Sequence, residues 1–203
     1  MLDLEKTTTQ QKDAAEAAVK DKTLLTGLLD GLLSKNKEVR YDNFKVLCLI
    51  SEEHPEALYS QWAFFENFLK SDDDSKKFYS IHIIANLAKA DNEGKFEGLF
   101  DDFYSILSGA ALIPACHVAH VSGKIVNAKP KLADKVTERL LGFEGTYKHK
   151  ELVKANAVKA FSEYYDKITE KDKIVNFVMA LKQDKSSRAK KEANDFLKKW
   201  KIT

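Results

Sequence analysis

Val39-Arg40-x-x-Asn43-x-x-Val46-Leu47-x-x-Ile50 is the stretch that decides the fold, because its pattern returns four more times. The recurrences are Lys76-Lys77-x-x-Ser80-x-x-Ile83-Ile84-x-x-Leu87, Ile113-Pro114-x-x-His117-x-x-His120-Val121-x-x-Lys124, Val153-Lys154-x-x-Ala157-x-x-Ala160-Phe161-x-x-Tyr164 and Ala189-Lys190-x-x-Ala193-x-x-Phe196-Leu197-x-x-Trp200. Their second residues are 37, 37, 40 and 36 positions apart. A period of this size predicts a stack of similar helical units.

Each stretch places its apolar or small residues on one side of a helix, within a sector of about 120°. Each is also preceded by a second amphipathic segment, at residues 24–33, 58–69, 96–107, 132–141 and 174–181. The sequence therefore predicts about five helical hairpins, with a longer loop at 142–148 where two glycines interrupt the fourth unit. Each apolar face must be covered by the neighbouring units.

These stretches resemble the second helix of the HEAT repeat, a member of the armadillo-like α-solenoid class. The resemblance covers residues 22–203 and is best in the first copy, where Asn43 replaces a small alanine. It is poorest in the third copy, where Pro114 replaces the basic residue. It implies an all-α, right-handed superhelix forming a single domain over residues 1–203. Residues 1–21 are expected to form an N-terminal cap helix, with a frayed tail as the alternative.

The composition fits one globular domain, since the chain has 203 residues, 44% hydrophobic, 32% charged and only 8 Gly and 3 Pro. The net charge of +2 gives no general reason to expect an anionic partner. Cys48 and Cys116 are too few for a disulfide framework. The N-terminus lacks a secretory pattern, and no run approaches ~18 apolar residues, so we expect a cytoplasmic protein without a membrane partner.

Cys116, His117 and His120 are the most suggestive candidates for metal ligands, because thiolate and imidazole both bind zinc. A structural zinc site needs a fourth ligand, and both histidines fall on positions expected to face the core. We therefore expect no metal, and no cofactor. Motifs for phosphate binding, nucleophilic serine or zinc hydrolysis are absent from the sequence, so we expect no catalytic residues and no enzyme.

The second helices of such repeats line the concave surface, and the resemblance places their outward residues at three offsets from the anchor. The expected partner-binding residues are Tyr41, Lys45, Phe78, His82, Ala119, Ser122 and Lys159. Ala119 and Ser122 would form a shallow floor between aromatic anchors on one side and Lys159 on the other. The alternative is that these small residues serve close helix packing and are covered.

The expected function is a non-enzymatic scaffold, working as a monomer, that binds a protein or peptide on its concave face. The alternative is a nucleic-acid-binding module, similar to the HEAT-like DNA glycosylases for alkylated purines. An uneven charge distribution supports this alternative, since residues 51–102 carry a net charge of −7 and residues 182–203 a net charge of +5. Phosphate-driven binding would weaken steeply with salt, which distinguishes the two.

Overall fold

The computed structural model describes residues 8–202, and all regular elements in that range are helical. The α-helices are α1 (Thr9–Lys20), α2 (Lys22–Gly31), α3 (Lys37–Glu53), α4 (Pro55–Tyr59), α5 (Trp62–Leu69), α6 (Asp74–Leu87), α7 (Lys95–Ser105), α8 (Leu112–Ala128), α9 (Ala133–Leu141), α10 (Lys150–Tyr164), α11 (Lys171–Leu181) and α12 (Ser187–Trp200). Short 3-10 turns follow α7, α8 and α10. The all-α class predicted from the sequence is confirmed.

Side-chain caps begin several of these helices where the sequence places a short polar residue. The Asn36 side chain accepts a hydrogen bond from the backbone N–H of Glu38 at 2.8 Å, at the start of α3. Asp73 does the same for α6, accepting from the Ser75 amide at 2.8 Å. Such caps satisfy donors that a helix start leaves unpaired, and each contributes about 1 kcal/mol.

Five helices form a row through the molecule, because α3 contacts α6, α6 contacts α8, α8 contacts α10, and α10 contacts α12. For four members of the row the preceding helix packs against one side, α2 on α3, α5 on α6, α9 on α10 and α11 on α12, whereas α8 is contacted by the 3-10 turn that follows α7. Helix α1 packs on both α2 and α3. The predicted N-terminal segment is thus helical from Thr9, while residues 1–7 lie outside the described range.

The core runs along the whole row and is rich in aromatic side chains. Fully buried examples are Phe44, Phe65, Phe103, Phe161 and Phe196, one from each successive helix pair. Burying such a side chain stabilises the fold by roughly 2–3 kcal/mol. Each helix pair therefore contributes its own hydrophobic layer to a shared core.

The second unit departs from the predicted continuous helix over residues 58–69, since it is split into α4 and α5. The predicted loop is confirmed, because the chain is non-helical from Gly142 to His149. Tyr147 anchors this loop, because its ring is buried and its hydroxyl donates a hydrogen bond to the Leu107 carbonyl at 2.7 Å. Across residues 8–202, none of the helices combines the length and apolar character needed to cross a bilayer.

A buried carboxylate links the second and third helix pairs. Asp91 accepts hydrogen bonds from the Tyr59 hydroxyl at 2.6 Å and from the Phe96 amide at 2.9 Å, and Lys129 lies 2.9 Å away. Burial opposes ionisation here, but these hydrogen bonds outweigh it and lower the pKa of Asp91 to about 2. The carboxylate therefore stays charged and joins α4, α7 and the end of α8.

Asn43, which replaces a small residue in the best copy of the pattern, fits because of a glycine on the facing helix. A Cβ added at Gly31 would lie only 2.3 Å from the Asn43 side chain. The Asn43 amide instead donates to the Val39 carbonyl at 2.7 Å. The space vacated on α2 thus compensates for the larger side chain on α3.

Candidate functional site

A groove with a volume of about 500 Å³ opens along the row of helices. Four helices contribute to it, namely α3, α6, α8 and α10. The lining residues are Lys45, Cys48, Leu49, Glu52, His82, His120, Val121, Lys124, Lys159 and Glu163. The lining therefore combines apolar, cationic and acidic side chains, within the size range of ligand sites.

Three of the residues predicted to bind a partner do line this groove: Lys45, His82 and Lys159. Tyr41 lies nearby and is half-buried, with its ring 5.1 Å from the Lys45 Nζ atom. The predicted residues on α3, α6 and α10 are thus brought to one surface, although His82 is only 6% exposed.

The predicted floor of small residues is wrong, because Ala119 and Ser122 are fully buried. Ser122 donates its hydroxyl to the Val118 carbonyl at 2.8 Å and accepts a hydrogen bond from the Tyr104 hydroxyl at 3.2 Å. Its polar group is therefore fully hydrogen-bonded inside the core. The outward face of α8 instead carries His120 and Lys124. The outward positions of α8 differ from the predicted ones by about two residues. A shift of two residues rotates a helix by about 200°, so the predicted inner and outer faces of α8 are interchanged.

Phe78 is also buried rather than an exposed anchor, with 6% of its surface exposed. Its ring packs against Phe44 with centroids 5.0 Å apart and against His117 with centroids 4.6 Å apart. Phe78 therefore supports the groove from beneath, and an incoming partner cannot reach it.

Three histidines, His82, His117 and His120, form a cluster beneath the groove, which we call the histidine trio. The His82 Nε2 atom lies 2.9 Å from the His117 Nδ1 atom, so the two rings share a hydrogen bond whose donor depends on their tautomers. The rings of His82 and His120 have centroids 6.3 Å apart. His117 and His120 are half-buried where α8 packs on α6, so they face a neighbouring helix as predicted without being fully enclosed in the core.

The environment of the histidine trio favours neutral rings. Burial lowers the pKa of His117 to about 4. Burial also lowers the pKa of His120 to about 4, with a further contribution from the Lys159 charge. The pKa of His82 is lowered well below its usual value, mainly by burial. All three are therefore uncharged near neutral pH.

A polar ladder crosses the groove from α3 to α8. Lys124 places its Nζ atom 2.8 Å from the Glu52 carboxylate and donates to the Asn86 side-chain oxygen at 3.1 Å. Asn86 in turn donates to the Ser51 hydroxyl at 3.0 Å. The ladder joins Ser51 and Glu52 of α3, Asn86 of α6 and Lys124 of α8, and so links three successive row helices.

Reactive groups near the groove are held in unreactive states. Burial raises the pKa of the Cys48 thiol to about 12, so it is protonated and a poor nucleophile at neutral pH. Burial also raises the pKa of the Cys116 thiol. Among residues 8–202, no group of three or more His, Cys, Asp or Glu side chains is arranged to hold a metal ion.

The spacing of the histidines in the sequence indicates this cluster, but the register predicted from the repeat motif did not take that spacing into account. His82 precedes His117 by 35 positions and His120 by 38 positions, both close to one repeat. Residues one repeat apart lie side by side on adjacent row helices. Matching these histidines across units would have placed α8 in its observed register.

Comparison with known proteins adds little to this picture. No known family model matches the chain, and no curated protein matches it. A crystal structure of an engineered protein, determined by a structural genomics consortium, is similar at 18% identity and a TM-score of 0.48, covering 99% of this chain and 97% of that one. The geometry of the groove is therefore the basis for a functional assignment.

Proposed function

We propose that this chain is a non-enzymatic HEAT-type scaffold, a superhelix of stacked helix pairs that binds a protein or peptide on its concave face. The observation that carries the proposal is the groove of about 500 Å³ along four consecutive row helices. Grooves of mixed apolar and polar lining between helices are common ligand sites.

Contacts between equivalent positions of successive units support the repeat assignment. Arg139 pairs with Asp101, which precedes it by 38 residues, and the Lys199 side chain reaches the Ser162 carbonyl, which precedes it by 37 residues. In a stack of repeats each unit contacts its nearest neighbours, so hydrogen bonds spaced by one repeat are expected.

The composition of the groove supports a macromolecular partner. Leu49, which is half-buried, gives it apolar surface, while Val121 is buried and Lys45 and Lys159 lie on the first and last of the four helices that line it. An apolar patch rimmed by charged residues is typical of protein interaction sites. A segment of polypeptide lying across the row could bury side chains between the lysines.

The test is a matched pair of substitutions. Leu49→Arg fills the groove with a charged side chain, whereas Leu24→Arg makes the same change at an exposed site on α2, where the leucine is 49% exposed. Both proteins would be checked for folding by circular dichroism and used to capture partners from nuclease-treated lysate. The proposal expects a partner that Leu24→Arg retains and Leu49→Arg loses. A partner retained equally by both would contradict a role for the groove.

A second candidate function is nucleic-acid binding, and the exposed basic face of α12 favours it. Lys190 and Lys198 on this helix are exposed, and neither has a carboxylate within 4.0 Å among the described residues. Retention on a heparin or DNA column at ~0.15 M salt, falling steeply as salt rises, would support this function. Flow-through at that salt would exclude it.

A further inference from the structure

We propose that the groove takes an acidic peptide segment, whose carboxylates lie among Lys45, Lys124 and Lys159 above the histidine trio. This inference rests on the proposed function, because it names the chemistry of the partner for the same groove.

The lysines come from three different helices and point into one cavity. Lys45 lies on α3, Lys124 on α8 and Lys159 on α10. Such convergence is not a property of the overall composition, since the whole chain has a net charge of only +2. Cations held in a concave site raise the local potential and attract anionic ligands.

The acidic residues of the groove leave this positive charge incompletely compensated. Glu52 is engaged by Lys124 at 2.8 Å, and the partner of Lys45 is Asp42, one turn away on the same helix at 2.9 Å. Lys159 has no carboxylate within 4.0 Å among residues 8–202, although Glu163 shares its helix face. Burial raises the pKa of Glu163, which disfavours its charged form.

The base of the groove can serve carboxylates as well. His120 has a buried Nδ1 atom without a hydrogen-bond partner among the described residues. A buried polar atom left unpaired is costly, and a small shift of the ring on binding would let it pair. The trio carries no positive charge at neutral pH, so the lysines supply the attraction and His120 supplies a hydrogen bond, while His82 and His117 are bonded to each other.

The same lining disfavours nucleic acid as the occupant of the groove. The lining residues include no Phe, Tyr or Trp on which bases could stack. The half-buried Leu49 instead offers apolar surface to an aliphatic side chain. An acidic peptide with interspersed apolar residues matches both features.

The experiment uses two short fluorescein-labelled peptides, one alternating leucine and glutamate and the other alternating leucine and glutamine. Binding to the full chain would be followed by fluorescence anisotropy at low salt and at ~0.15 M salt. Lys159→Glu is the test variant. Lys182→Glu is its control, because Lys182 is exposed at the end of α11, does not line the groove, and its replacement alters the net charge equally.

The expected result is that the glutamate peptide binds at least about tenfold more tightly than the glutamine peptide, and that Lys159→Glu weakens it by about tenfold while Lys182→Glu leaves it nearly unchanged. Equal binding of the two peptides, an equal loss with Lys182→Glu, or no binding of the glutamate peptide would overturn the proposal. Tighter binding of a single-stranded oligonucleotide at the same site would overturn it in favour of nucleic acid. If Lys159→Glu fails to fold, Lys159→Gln tests the same point with a smaller expected loss.

Failure here is distinguishable from failure of the proposed function. A captured partner that is lost with Leu49→Arg but retained with Lys159→Glu would show that the groove binds a partner of different chemistry. In that case the groove assignment stands and the acidic-peptide inference is wrong.

Discussion

Acidification should destabilise this protein through the histidine trio before most carboxylates titrate. In the folded chain burial lowers the pKa of His117 and of His120 to about 4, whereas an unfolded histidine has a pKa of about 6.5. Between these values the unfolded state binds more protons. The stability that the neutral rings contribute is therefore fully present above about pH 6.5 and is lost as the pH falls towards 4.

The magnitude follows from this difference. At about pH 5.5, one pH unit below the pKa of an unfolded histidine, protonation stabilises the unfolded state by about 1.4 kcal/mol per histidine relative to high pH. The folded ring is still neutral at that pH. His117 and His120 would sum to about 3 kcal/mol, and their partial exposure reduces the expected loss to roughly 2 kcal/mol. Burial shifts the pKa of His82 in the same direction.

The assay is urea unfolding at about pH 8 and about pH 5.5, analysed by linear extrapolation. The wild type should lose about 2 kcal/mol between the two, and the His117→Gln/His120→Gln variant should lose much less. His54→Gln is the control, because the His54 side chain is 44% exposed and lies outside the trio. An identical loss in the double variant, or a wild type that gains stability on acidification, would refute the reasoning.

Three further predictions concern stability, each measured by the same urea unfolding. Asp91→Ala leaves the Tyr59 hydroxyl and the Phe96 amide without their acceptor, while Lys129 is still paired with Glu97, and it should cost about 3 kcal/mol, so a loss under 1 kcal/mol would show that the network contributes little. Gly31→Ala should destabilise the wild type by about 1–2 kcal/mol, because its Cβ meets Asn43, and should be neutral or stabilising in an Asn43→Ala background; equal effects in both backgrounds would exclude the contact. Tyr147→Phe removes the hydroxyl bonded to the Leu107 carbonyl and should cost about 1 kcal/mol, and an unchanged midpoint would show that the loop does not depend on that bond.

Much of the fold could be predicted from the sequence because its signals are local. The hydrophobic period on α3 and α12 is read within a single helix, and polar residues such as Asp73 mark where helices begin. The loop from Gly142 was predictable for the same reason, since glycines interrupt the pattern there.

The candidate site was harder to predict because it depends on which side of each helix meets its neighbours. Helix α8 is apolar or small on nearly all sides, so its periodicity indicates a helix without fixing its rotation. The register taken from the repeat motif therefore placed Ala119 on the exposed face and His120 on the buried face. In the structure Ala119 is buried and His120 lines the groove. Lys45 and Lys159 were placed correctly, because α3 and α10 carry a lysine there against otherwise apolar surroundings.

The central claim is that the groove between Lys45 and Lys159 is where this protein binds a partner. The most direct test is backbone amide chemical-shift mapping of the isotope-labelled chain, titrated with the acidic leucine–glutamate peptide. The account predicts shifts concentrated on α3, α6, α8 and α10, near the lining residues of the groove. Shifts confined to the basic face of α12 would contradict it. So would shifts spread over α2, α9 and α11, the helices that pack on the sides of the row.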